Sequence, residues 1–146
     1  MADVGREARQ YAPLEQFLRQ SGCNPVWRVG KGNAIKLDVL DPQFRTPDAV
    51  GAERVGDSWH VHVIEAKLFA RGGYKIDEGM AQLKSVQRYA DYLYLSLESA
   101  DWSVRSEQQQ AALIEKVTRE GFGLLLVGGK KVTVEVKSQR NGDVTR

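Results

Sequence analysis

A chain of 146 residues can bury one proper hydrophobic core and sits in the size range of one domain. With 42% hydrophobic and 27% charged residues, no apolar run near the roughly 20 residues of a membrane span and one cysteine, it excludes a membrane span, a disulfide framework and a cysteine-rich zinc site. The net charge of +2 neither demands nor excludes a nucleic-acid partner, because metal-binding carboxylates offset a basic surface. The opening MADVGREARQ lacks the apolar core of a secretory signal, so the expected location is the cytoplasm.

The first segment, EARQYAPLEQFLRQSG, has Tyr11, Leu14, Phe17 and Leu18 at the spacing of an amphipathic helix, with Pro13 in its first turn and Gly22 as its stop. Glu15 falls roughly 90° around from that stripe, at the border of the buried face. VWRV then reads as a strand ending at the turn-like Gly30-Lys31-Gly32-Asn33, and AIKLDVL alternates in the period of a half-buried strand until Asp41-Pro42. PDAVGAE begins a short strand and Val55-Gly56-Asp57-Ser58 reads as a hairpin loop. WHVHVIEAKL is the longest strand signal in the chain.

Residues two apart on a strand share a face, so Val61, Val63, Glu65 and Lys67 point one way and His60, His62, Ile64 and Ala66 the other. After a flexible Arg71-Gly72-Gly73 turn, a helix is expected from about Lys75 to Ala90, with Ile76, Met80, Leu83 and Val86 on its buried side. Gly79 weakens that helix by roughly 1 kcal/mol relative to alanine. YLYLSL reads as a buried strand, Val104 to Glu120 as a second helix stopped by Gly121, and FGLLLVG and KVTVEVK as closing strands. The tail from about 138 to 146 is polar and expected to fray. No repeat or linker divides the chain, so residues 1–146 are expected to form a single mixed α/β domain.

Asp48, Glu65 and Lys67 carry the chemistry. A strand with a carboxylate two residues before a lysine brings both groups to one place, and an aspartate on the preceding strand of the same hairpin can join them. Two carboxylates, with a backbone carbonyl such as that of Ala66, make an oxygen-rich site suited to Mg²⁺ or Mn²⁺. Such a cation lowers the pKa of bound water and neutralises phosphate charge, while the lysine orients the water or steadies the transition state. The same three residues also occur as ordinary surface ion pairs.

The arrangement Pro47-Asp48, sixteen residues, then Glu65-Ala66-Lys67, set in αβββαβ order, resembles the PD-(D/E)xK nuclease superfamily over roughly Leu14 to Val127. The resemblance implies a restriction-endonuclease-like fold, a central mixed β-sheet flanked by helices, and a metal-dependent nuclease that hydrolyses phosphodiester bonds in DNA, or in RNA. It assigns Asp48 and Glu65 as metal ligands and Lys67 as the catalytic lysine. Several branches add a glutamate on the first helix, which Glu15 matches, and some a glutamine on the helix after the lysine strand, which Gln82 matches. In the nuclease modules of recombination helicases that glutamine stands three residues before a tyrosine, whereas Gln82 and Tyr89 are seven apart. Many members act as dimers, which makes a homodimer the implied assembly. The alternative is a nucleic-acid-binding or assembly subunit that keeps the fold without cutting.

Lys31, Arg71, Lys75 and Lys84 are the candidate nucleic-acid contacts, the first two beside glycine-rich turns. Asp38 and Asp41 are alternative acidic partners, without a preceding proline. His60 and His62 lie on the wrong face to join Glu65. Cys23 has no recognisable base near it in sequence. Lys31-Gly32-Asn33 is too short for a phosphate-binding Walker loop.

Overall fold

The computed structural model describes residues 7–28, 47–69 and 74–144. Its strands are β1 (Cys23–Arg28), β2 (Ala49–Val55), β3 (Ser58–Ala66), β4 (Tyr92–Glu98), β5 (Gly123–Gly128) and β6 (Lys131–Val136), side by side in that order in one six-stranded sheet. β1, β2 and β3 are antiparallel; β4 lies parallel to β3 and β5 parallel to β4; β6 returns antiparallel. Helices α1 (Tyr11–Gln20), α2 (Tyr74–Val86), α3 (Ser99–Ser103) and α4 (Glu107–Glu120) flank this sheet. The described chain is thus an α/β protein built on a mixed sheet. No helix among the described residues is long and apolar enough to cross a membrane.

The alternation expected along β3 divides the interior into two cores. Val63 and its β2 neighbour Val50 join Ile76, Met80, Leu83 and Val86 of α2 and Leu113 and Val117 of α4 on one face. Ile64 and Ala66 join Leu14 and Leu18 of α1 on the other. Each fully buried leucine contributes roughly 1.5–3 kcal/mol relative to leaving it in water, so these stripes decide which way each helix faces. α1 stops where Gly22 takes φ 98°, a left-handed conformation that glycine adopts at little cost.

Two boundaries differ from the sequence pattern. α4 starts at Glu107 rather than Val104, because Ser106 is an N-cap: its hydroxyl accepts from Gln109 N at 3.1 Å and Gln109 Oε1 accepts from Ser106 N at 3.1 Å. Helix α2 ends at Val86, and Gln87–Tyr89 form a tighter 3-10 turn before β4.

The tail is tied down rather than frayed as far as the described residues extend. Asn141 donates from its backbone N to Asp91 O at 2.7 Å and from its side-chain amide to Gln87 O at 2.7 Å, which satisfies carbonyls that the 3-10 turn leaves over. The expected strand AIKLDVL and the Arg71-Gly72-Gly73 turn lie outside the described residues.

Candidate functional site

The hairpin of β2 and β3 turns on two residues, since Val55 pairs with Ser58, and its register runs unbroken to Ala49 opposite Ile64. One further step places Asp48 opposite Glu65, on the face of the sheet that packs against α2. The backbone N–H of Ala66 donates to Asp48 Oδ2 at 2.8 Å, and the Tyr11 hydroxyl of α1 donates to Asp48 Oδ1 at 3.3 Å. The Asp48 and Glu65 carboxyls themselves come within hydrogen-bonding reach of each other. Lys67 continues past the end of β3, held on β4 by its N–H to Ser96 O at 2.9 Å.

All three side chains are withdrawn from water: Asp48 is 8% exposed, Glu65 4% and Lys67 6%. This is not a surface ion pair. Burial and the neighbouring Asp48 charge push the Glu65 carboxyl up to about 9. Asp48 is also raised by burial, with the Ala66 N–H, Glu65, Lys67 and Tyr11 pulling it back. The pair therefore holds one shared proton at neutral pH, as two carboxyls at close range in a poorly solvated place must.

A cation can take the place of that proton. Among the described residues no cluster of three or more His, Cys, Asp and Glu side chains converges. The available donors are two carboxylates and nearby backbone carbonyls. That set fits Mg²⁺ or Mn²⁺, hard cations that accept one or two carboxylates and keep several waters.

Lys67 is positioned by packing as much as by charge. Its Nζ lies 3.6 Å from Glu78 Oε1 on α2. A Cβ at Gly79 would fall 2.8 Å from Lys67 Cγ and 2.9 Å from Leu95 Cδ1, so the glycine lets α2 settle directly on the lysine stem. The helix-weakening glycine thus has a steric reason. Behind Lys67, the fully buried Gln10 donates from Nε2 to Lys67 O at 3.1 Å and accepts from Ser96 Oγ at 2.5 Å. One amide joins the N-terminal segment, β3 and β4 beneath the carboxyl pair.

The residues expected from sequence fall in several places. Asp48, Glu65 and Lys67 come together. Glu15 instead meets Arg28 of β1 at 2.8 Å and Arg19 at 3.5 Å. It follows Tyr11 by one turn, about 5.4 Å farther along the helix, and that step carries it past Asp48. The glutamate of this segment whose charge acts on Asp48 and Glu65 is Glu7, itself raised by burial and by Asp48. Gln82 lies one helical turn after Glu78 on α2, with Oε1 buried and unpartnered among the described residues.

Lys75 lies within electrostatic reach of Glu7. Lys84 pairs with Glu120 of α4 at 3.1 Å, roughly 120° around α2 from Glu78, so it points away from the carboxyls. Lys31, Arg71, Asp38 and Asp41 lie outside the described residues. His62 sits on the opposite face, as alternation requires, bonded through Nε2 to Glu53 at 3.0 Å and through Nδ1 to the Tyr94 hydroxyl at 3.1 Å. Burial pushes its pKa down. Cys23 is buried and its thiol is pushed up to about 12, the opposite of an activated nucleophile.

Glu7, Gln10 and Tyr11 were missed by the sequence reading. Their signals were faint: a tyrosine whose polar tip extends beyond an apolar stripe, a glutamate four residues before it, and a lone serine inside the buried YLYLSL strand that calls for a partner. Comparison of the chain with protein-family models, curated proteins and solved structures finds no match.

Proposed function

We propose that the chain is a divalent-metal-dependent nuclease of the PD-(D/E)xK type, a hydrolase of phosphodiester bonds that acts on DNA, with RNA the related alternative. One observation carries this reading: two buried carboxyls, Asp48 and Glu65, stand within hydrogen-bonding reach of each other with Lys67 two residues on. The element order α1–β1–β2–β3–α2–β4 supports a restriction-endonuclease-like fold. A homodimer, each copy cutting one strand, is part of the same proposal.

Asp48 and Glu65 would hold Mg²⁺ or Mn²⁺, with Glu7, in place of Glu15, adding negative charge from the N-terminal segment. When bound, the cation supplies a lowered water pKa and neutralises charge on the phosphate. Lys67, steadied by Glu78, orients the attacking water and meets the negative charge that grows on the phosphate oxygens. The Ala66 N–H and the Tyr11 hydroxyl fix the Asp48 carboxylate, so it does not reorganise during the reaction. Gln10 fixes the strand end that carries Lys67.

The test is incubation of the full chain with plasmid, single-stranded and branched DNA and with RNA, in Mg²⁺ or Mn²⁺ and then in chelator. Metal-dependent cleavage that leaves 5′-phosphate ends is expected. Absence of cleavage on the whole panel in both metals would remove the reading in favour of a binding or assembly subunit.

A further inference from the structure

The sheet face that carries Asp48 and Glu65 continues away from them toward the β2–β3 turn. The register sets Val50 beside Val63, Ala52 beside Val61 and Arg54 beside Trp59. The first pair is buried, the second half-buried and the third exposed, with Trp59 at 43%. The Arg54 guanidinium lies 5.6 Å from the centre of the Trp59 ring. Trp27 of β1 pairs with Val50 and packs half-buried over the same apolar cluster, so an aromatic surface bridges the stretch between the exposed pair and the carboxyls.

Helix α2 forms the adjoining wall. Glu78 reaches Lys67 from it, and the 3.6-residue period brings Gln82 next on that stripe. Gln82 offers a buried carbonyl oxygen without a partner among the described residues. The 3-10 turn that follows presents Arg88 5.3 Å from the centre of the Tyr89 ring. Asp91 accepts from Val61 N at 2.8 Å, which fixes this turn at the level of the Trp59 end of β3. Two arginine–aromatic pairs therefore sit at one end of a surface whose other end is the carboxyl site.

We infer that this surface receives an unpaired nucleic-acid strand, with bases on Trp59 and phosphates on Arg54 and Arg88. The inference rests on the nuclease reading above and narrows its substrate class. Exposed aromatic faces stack on bases, and paired bases in a duplex interior do not offer theirs; arginine over a ring adds positive charge for the backbone. From Trp59 to Glu65 is six residues of strand, roughly 20 Å, a span of several nucleotides. The neighbouring cations complement a polyanion, and the face is continuous with the site that would cut it.

The experiment is fluorescence anisotropy of a labelled 15-nucleotide oligo-dT and a matched 15-base-pair duplex, with the full chain in chelator at low salt. Wild type is expected to prefer the single strand. Trp59→Ala and Arg54→Ala should each weaken oligo-dT binding about tenfold, with unchanged circular dichroism and melting. Equal binding by Trp59→Ala, a preference for duplex, or no oligo-dT binding at all overturns the inference. Hydrolysis of bis(p-nitrophenyl) phosphate in Mn²⁺, measured alongside, separates the two ideas. Turnover with a Trp59-independent oligo-dT affinity leaves the nuclease reading and sinks the surface. A Trp59-dependent affinity without turnover keeps the surface and sinks the nuclease reading.

Discussion

Asp48 and Glu65 face one another across the β2–β3 hairpin with both carboxyls buried and within hydrogen-bonding reach. The fold pays for that proximity in stability, and the cost has a definite pH dependence. With the folded-state pKa of Glu65 raised to about 9 from 4.5, the native protein holds more protons than the unfolded chain across that interval. Metal-free stability should therefore fall as pH rises from about 4.5 through about 9. Thermal melts in chelator between pH 5 and 9 check the sign; a rising melting temperature across that range contradicts it.

A cation that replaces the shared proton reverses the trend. Stabilisation by Mg²⁺ or Mn²⁺ should grow with pH over the same window, since metal and proton compete for one pair of carboxylates. At a concentration a hundred times its dissociation constant, the gain is about 2.7 kcal/mol. Melts with and without metal at pH 6 and pH 8.5 measure it, and a pH-independent or absent shift would count against the site.

Glu65→Gln should make the metal-free protein more stable at pH 8, by of the order of a few kcal/mol, while abolishing the metal-dependent shift. A residue kept only for structural support would show the opposite, a loss of stability. Chemical denaturation in chelator distinguishes the two.

Tyr11→Phe removes a hydroxyl that donates to Asp48 at 3.3 Å without disturbing the ring that packs beneath α1. Loss of that donor should cost about 1 kcal/mol. It should also move the onset of metal-dependent stabilisation to higher pH, because the hydroxyl helps to keep Asp48 ionised. An unchanged pH profile would mean that the hydroxyl does not act on the carboxyl pair.

Gly79→Ala sets two effects against each other. Helix propensity favours alanine by about 1 kcal/mol, but the added Cβ meets Lys67 Cγ at 2.8 Å and Leu95 Cδ1 at 2.9 Å. Overpacking of this kind costs typically 1–3 kcal/mol, so the variant should be destabilised by about 1 kcal/mol on balance. A more stable variant would show that α2 can lift from Lys67 freely.

Period-2 alternation in WHVHVIEAKL was enough to separate Glu65 and Lys67 from the two histidines, because a half-buried strand permits one assignment of faces. The stripe of Leu14 and Leu18, and that of Ile76, Met80, Leu83 and Val86, marked the buried sides of α1 and α2 for the same reason. What the pattern left unread depends on positions along an axis. Glu15 lies on the same side of α1 as Tyr11 but a turn beyond Asp48, and helical periodicity fixes angle rather than distance. Gln10 is polar and fully buried, so hydropathy assigns it to the surface; only the carbonyl of Lys67 and the hydroxyl of Ser96 explain its place. The capped start of α4 at Ser106 was available in the Ser-x-x-Gln spacing, which the longer apolar pattern from Val104 obscured.

The most direct measurement compares wild type with Lys67→Ala in Mn²⁺-dependent cleavage of end-labelled DNA. Both proteins are first shown to have the same far-ultraviolet dichroism and the same metal-induced rise in melting temperature. The account predicts cutting by wild type and a loss of at least a hundredfold in rate for the variant, because Lys67 acts on the phosphate and its water and does not hold the cation. Equal cleavage by the two proteins would contradict it.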